Sequence, residues 1–300
     1  MRIGVDLGGT KIEAVVLGDE GEIVTRRRRP TPRESYADLL RAIVELVEDL
    51  ESEVGERASV GVATPGAISP HTGLVKNANS TRLIGERLDA DLSDALDRRI
   101  RVANDANCFA LSEAVDGAAK GARTVFGVIL GTGVGGGIVI EGRVIAGRQA
   151  IAGEWGHNPL PWPRASELPG LRCYCGRHGC IETFLSGPGL ERDYREGSEA
   201  ASSAAEIVRL AASGEQRAEA CLIRYEHRLA RGLAHVINIL DPDVIVLGGG
   251  LSAITRLYES VPRLWGEFVF SDRVDTPLRP PVHGDASGVR GAAWLWPRGA

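Results

Sequence analysis

The chain has 300 residues, 43% of them hydrophobic, and a formal net charge of −5. That is enough for about two domains with packed cores, so neither disulfides nor disorder is needed. The acidic balance argues against a general nucleic-acid or anionic-membrane partner, and no apolar run approaches the ~18–20 residues that cross a bilayer.

In chain order, the opening MRIGVDLGG reads as a strand and a glycine loop, not a signal peptide, so a cytoplasmic protein is expected. Ile3–Leu7 is an apolar strand that breaks at Gly8-Gly9, and Ile12–Leu17 resumes it, giving a hairpin with a glycine tip. The four arginines Arg26–Arg29, flanked by Glu20, Glu22 and Glu34, read as a solvated strand edge and turn. Thr31-Pro32-Arg33-Glu34 places Thr, Pro and Glu at N-cap, N1 and N3, a capping box. Behind it, Leu39, Leu40, Ile43, Val44, Val47 and Leu50 recur at helical spacing. Val60–Ala63 and Ile100–Ala103 are short strands, and the second ends at Asn104-Asp105 before a helix through Ala114.

The opening pattern then returns. IGVDLGGTKIEAVV from Ile3 and FGVILGTGVGGGIV from Phe126 superpose without gaps at an offset of 127 − 4 = 123 residues. This is an internal duplication, with two α/β halves that each open on a strand–glycine–strand unit. The second half closes with a helix over about Glu215–Leu240, the strand Val244–Leu247 and Gly248-Gly249-Gly250. The alternation predicts mixed sheets in two lobes, residues 1–117 and 118–285, with a helix over about 286–300 returning to the first and a cleft between the lobes.

Glycine tips let backbone N–H groups converge on phosphate oxygens, because no Cβ blocks the approach. Two such tips could grip a polyphosphate, although neither fits GxxxxGK[ST] or GxGxxG opening a helix. The candidates are Gly4, Asp6, Gly8, Gly9, Thr10 and Lys11 in the first copy, and Gly131, Thr132, Gly133, Val134, Gly135, Gly136 and Gly137 in the second. Where the first copy has Asp6 the second has Ile129. A carboxylate in a buried strand needs compensation, which Mg²⁺ held directly or through water would supply; capping a loop N–H is the plainer role. Asp105 at a strand–helix boundary is open to two readings, an N-cap or a proton acceptor.

RCYCGRHGC holds three of the five cysteines. Cys173, Cys175 and Cys180 offer three thiolates for a tetrahedral zinc, and His157 or His178 would be the fourth ligand. His178 lies so close to Cys175 and Cys180 that closing the tetrahedron with it would strain the loop, whereas His157 approaches from a separate segment. No CxxC redox motif is present, and Cys108 and Cys221 read as inert core thiols.

DLGGTK, LGTGVGGG and the LGGG near residue 250 resemble the actin-like sugar kinases, and GEWGH (Gly153–His157) followed by CYCGRHGCIE resembles the ROK family. The likeness covers nearly the whole chain. KNANST (Lys76–Thr81), AGEWGHNPLPW (Ala152–Trp162) and HGDASGVRGAAWLW (His283–Trp296) are similar to bacterial fructokinases and mannofructokinases. NDANCFALSEA and LGTGVGGG are equally similar to N-acetylglucosamine kinases.

The resemblance implies an α/β, duplicated actin-like (ribonuclease H-like) fold and an ATP-dependent hexose kinase. Fructose is the favoured substrate, with N-acetylglucosamine kinase or glucokinase as the alternative. It implies Mg²⁺·ATP across the glycine tips with adenosine toward Gly248–Gly250, and Asp105 as base toward the 6-hydroxyl. Asn79, Asn104, Asp105, Glu154, His157 and Glu182 are the implied sugar contacts, with His157 also the histidine of a structural zinc in the 153–182 loop region. A homodimer is implied too, to which Trp265, Phe268 and Phe270 could lend apolar surface or remain core. A sugar-sensing regulator without a DNA-binding domain is the rival from another class, because nothing precedes the first glycine loop that could hold a helix-turn-helix.

Overall fold

The strand–glycine–strand pattern met twice in the sequence opens two five-stranded sheets of the same order. The computed structural model describes residues 1–78, 81–196 and 202–297. Contacts group the chain into two units: residues 1–121, 137–153 and 282 onward form one, and residues 122–136 and 154–281 the other.

The first unit runs β1 (Arg2–Leu7), β2 (Lys11–Leu17), β3 (Ile23–Pro30), α1 (Tyr36–Val54), β4 (Ser59–Thr64), the small hairpin β5 (Ala67–Ile68) and β6 (Val75–Lys76), α2 (Leu88–Ala95), β7 (Ile100–Asn104) and α3 (Asp105–Val115). Its sheet has the order β3-β2-β1-β4-β7, antiparallel across the first three strands and parallel from β1 to β7. β1 and β4 are buried on both faces, with Ile3, Val5, Leu7, Val60 and Val62 in a hydrophobic core and Gly4 and Gly61 on the other side, which suits them to this parallel centre. Then come β8 (Thr124–Leu130), β9 (Val134–Ile140), β10 (Arg143–Val144), α4 (Ile181–Leu185), α5 (Gly187–Arg195), α6 (Ala204–Ala212), α7 (Gln216–Leu240), β11 (Val244–Gly248), α8 (Leu257–Trp265), β12 (Leu278–Arg279) and α9 (Ser287–Trp294). The second sheet, β10-β9-β8-β11-β12, repeats the order of the first, and the 123-residue offset carries 11–17 of β2 onto 134–140 of β9. This is the duplicated, actin-like α/β architecture expected from the sequence.

Glycines let α9 lie directly on the first sheet. A Cβ on Gly4 would fall 2.0 Å from the Val289 carbonyl oxygen, and one on Gly61 would fall 1.9 Å from that of Ala292. On the helix side, a Cβ on Gly291 would fall 1.7 Å from the carbonyl oxygen of Cys108 in α3. Gly4 therefore clears a helix, which corrects its reading as a nucleotide contact. Gly137 is corrected likewise, since its Cβ would lie 2.4 Å from the Ala106 oxygen at the start of α3. The same close packing explains why residues 137–153 group with the first unit, where the sequence reading had placed them in the second lobe.

The capping box at Thr31 does not form. The sheet continues to Pro30, and α1 is capped instead by Ser35, whose Oγ accepts the Asp38 N–H at 3.1 Å. The arginines of β3 face acids other than the flanking ones. Arg26 and Arg28 pair with the buried Glu13, Arg27 with Glu53, and Arg29 with Glu45 and Asp49. In the second unit Trp265 is buried in the core while Phe270 is fully exposed. Among the described residues no helix is long and apolar enough to cross a membrane.

Candidate active site and metal centre

The first glycine tip joins β1 to β2, with the Gly8 N–H donating to the Lys11 carbonyl at 3.0 Å. Thr31 straps it from outside: its Oγ1 donates to the Gly8 carbonyl at 2.7 Å and its N–H to that of Thr10 at 3.1 Å. Asp6 is the penultimate residue of β1, just before the tip. Burial and the charge of Asp105 raise its pKa to about 6, which places the two carboxylates near each other in this unit. Gly288, in the first turn of α9, leaves Asp6 room, since a Cβ there would lie 3.3 Å from Oδ2. Lys11 is turned to Glu13, at 3.4 Å.

Asn104, not Asp105, caps α3: its Oδ1 accepts the Ala106 N–H at 2.9 Å while its Nδ2 donates to the Gly66 carbonyl at 3.1 Å. Asp105 is the exposed first residue of the helix, and its Oδ1 shares the Ala106 N–H at 2.8 Å. Asn79 lies outside the described residues.

The second tip is braced by side chains of its own unit. One Glu182 oxygen accepts the Val134 N–H at 2.9 Å, and a Cβ on Gly133 would come within 2.7 Å of that oxygen, so glycine admits the carboxylate. The Gly187 N–H donates to the Gly131 carbonyl at 2.7 Å. Trp155 fixes the GEWGH segment: it is buried, donates its indole N–H to the Gly135 carbonyl at 3.0 Å and meets Phe126 edge-on at 5.8 Å. Glu154 and His157 are thereby held on either side of an anchored residue. Glu182 follows Cys180 by two positions, in the first turn of α4.

Beside this tip is a cavity of about 660 Å³, within the ~300–1,000 Å³ usual for small-molecule sites. Gly131, Thr132 and Gly250 form one wall, as the glycine motifs suggest, with Gly187, Pro188, Glu191 and Val208 across from them. The second wall escaped the sequence reading, although the GPG at 187–189, capped by Ser186, was its visible signal. Of the other motif glycines, Gly249 has φ +77° and its Cβ would lie 2.4 Å from the Leu130 oxygen, so it serves the turn against β8.

The sulfurs of Cys173, Cys175 and Cys180 and a ring nitrogen of His157 all lie within 4.8 Å of one another. Tetrahedral zinc with bonds of about 2.3 Å to sulfur and 2.0–2.1 Å to nitrogen has S···S edges of about 3.8 Å and S···N edges of about 3.6 Å. Cys175 Sγ to Cys180 Sγ is 3.6 Å, and Cys173 Sγ to His157 Nδ1 is 3.5 Å. The donor set therefore fits zinc in both kind and spacing. His178 is exposed and pairs across the loop with Arg172 instead. Backbone pairing joins the same segments: Pro159 bridges Cys180, the Leu160 N–H donates to Gly179 and the Ile181 N–H to Asn158, each at 2.9 Å.

A sequence model of the ROK family matches residues 2–299. The chain is 41% identical over 299 residues to an N-acetyl-D-glucosamine kinase of Pectobacterium atrosepticum, covering 98% of each. Among solved structures it resembles a ROK hexokinase from Thermus thermophilus, with a TM-score of 0.86, 32% identity and coverage of 98% of this chain and 96% of that one. It also resembles a ROK family glucokinase from Streptomyces griseus in complex with glucose and AMPPNP, with a TM-score of 0.78, 27% identity and 99% coverage of both.

Proposed function

The chain belongs to the ROK family, and on that premise we propose that it is an ATP-dependent kinase whose acceptor is the 6-hydroxyl of N-acetyl-D-glucosamine. The observation that carries the reading is the full-length likeness to an N-acetyl-D-glucosamine kinase. The fructose preference expected from the sequence rested on a few loop motifs, which weigh less than identity sustained over 98% of both chains. The hexosamine, the alternative that the motifs equally resemble, takes its place.

In this reading Asp105 accepts the acceptor hydroxyl's proton. An alcohol is a much weaker acid than a carboxylic acid, so the proton moves late, as charge builds on the attacking oxygen. Asn104, Glu154, His157 and Glu182 hold the sugar hydroxyls, carboxylates being suited to accept from vicinal pairs. Glu182 brings one oxygen already engaged with Val134, so its direction is set before substrate arrives. The tips at Gly8–Lys11 and Gly131–Gly136 offer backbone N–H groups to phosphates, and the cavity beside Gly131 and Gly250 takes the adenosine. Asp6 would hold Mg²⁺, directly or through water; the ion would neutralise charge on the transferring phosphoryl group.

Zinc held by His157, Cys173, Cys175 and Cys180 would have four protein ligands and would serve structure. It would fasten the segment bearing Glu154 to the helix start bearing Glu182. The test is ADP release with N-acetylglucosamine, glucose, mannose and fructose, with and without a zinc chelator. N-acetylglucosamine is expected to give the highest kcat/KM, and a preference for fructose would return the reading to the motif-based one. ADP release independent of any sugar would reject both.

A further inference from the structure

Tyr174 lies between two thiols of the cluster, Cys173 and Cys175. Its hydroxyl is 2.9 Å from His157 Nε2, and its ring meets the imidazole edge-on at 5.0 Å and 87°. It is nevertheless 77% exposed, so little besides this contact holds it.

His157 turns Nδ1 toward the Cys173 sulfur, which leaves Nε2 as its one N–H donor when the other nitrogen is engaged. That donor now points at the tyrosine oxygen. A single N–H makes one good hydrogen bond, and the proposed function requires it for a sugar hydroxyl. We propose that Tyr174 is an internal stand-in for the substrate: in the free protein its hydroxyl occupies the His157 donor, and the hexose displaces it. The exposure of Tyr174 makes that displacement cheap, while the bond keeps the imidazole oriented until sugar arrives. The inference rests on the sugar-kinase reading and on His157 as a sugar contact.

Tyr174→Phe removes the hydroxyl and keeps the ring against His157. Calorimetric titration of N-acetylglucosamine into the nucleotide-free protein should show Kd falling about two- to tenfold in the variant, the worth of one neutral hydrogen bond. Bound zinc, measured by atomic absorption, should match the wild type, and KM for sugar should fall by a larger factor than any change in kcat. Equal affinities overturn the proposal, as does weaker binding, which would make Tyr174 a sugar contact in its own right. Loss of zinc from Tyr174→Phe also overturns it, by making the hydroxyl part of the metal's support. Absence of binding of every hexose by both proteins would reject the sugar-kinase reading itself, a result distinct from binding that ignores the substitution.

Discussion

The first glycine tip is preceded by Asp6 and followed by Thr10 and Lys11; the second has Ile129, Gly133 and Val134 at the matching positions. Strand order and the extent of the second strand are kept between the copies, yet the charge is not. In the first unit the carboxylates of Asp6 and Asp105 act on one another. In the second, the tip carries no charged residue, and Glu182, Trp155 and Gly187 brace it from outside. The proposed function divides the labour between two similar scaffolds, with the proton-accepting carboxylate in the first and the braced tip in the second. The sharpest way to break this division is to find chemistry in the second unit or positioning in the first.

The largest effect is expected at Asp105. Asp105→Asn should lower kcat by about 10²–10⁴-fold, the usual contribution of a general base, with sugar affinity changed far less. Single-turnover kinetics and direct sugar binding separate the two. Near-normal turnover would move the base elsewhere and undo the assignment of chemistry to the first copy.

Next comes the candidate metal site of the second unit. Cys175→Ser should lose zinc and, with it, most of the sugar affinity, while circular dichroism stays close to the wild type. The backbone bridge at Pro159 and Cys180 and the bonds at Leu160 and Ile181 remain when the metal is gone, so the loop loosens without unfolding the unit. Full sugar affinity in a verified zinc-free protein would show that those backbone bonds suffice and the clamp is superfluous.

These two sites differ in how far the sequence revealed them. The repeated tips gave both sheets' opening hairpins, and the thiol spacing with a distant histidine gave the metal cluster. The strap from Thr31 and the tether of Glu182 to Val134 were invisible, because each joins segments whose meeting depends on the finished sheet. Thr31 even mimicked a helix cap, since the same hydroxyl chemistry suits either use. Gly4 and Gly137 were misread for a related reason: a glycine that clears a packed helix looks identical in sequence to one that admits a phosphate. The α5–α6 wall of the cavity beside Gly131 was announced only by the GPG at 187–189, which reads as a turn until the fold brings it opposite Gly250.

A smaller effect tests rigidity beneath the metal loop. Glu167 is buried, donating nothing and accepting from Arg228 at 2.9 Å, from Arg231 at 2.8 and 2.9 Å and from the Arg164 N–H at 2.8 Å. Although burial opposes it, those bonds hold its pKa at about 2, below the ordinary 4.5. A depressed carboxylate contributes its full stabilisation above pH 4.5 and loses it as pH falls from there toward 2. Glu167→Gln should therefore cost about 3 kcal/mol at neutral pH, as breaking a buried pair does, and the gap from wild type should narrow in acid. Urea titrations at pH 7 and pH 3.5 check this. A gap independent of pH would mean the loss is one of packing and not of charge.

The smallest expected effect discriminates best between the two tips. Thr31→Val keeps the shape and the N–H bond to Thr10 but deletes the 2.7 Å bond to the Gly8 carbonyl. About 1 kcal/mol of order is removed from the first tip, equivalent to roughly fivefold in affinity if all of it is felt by the ligand. Because that tip is assigned to phosphate, KM for ATP should rise by up to that factor, while sugar binding measured without nucleotide stays as in the wild type. The comparison fails if the sugar is the ligand that weakens. A strap on one copy would then be positioning substrate across both, and the units would not have divided their labour as their residues suggest.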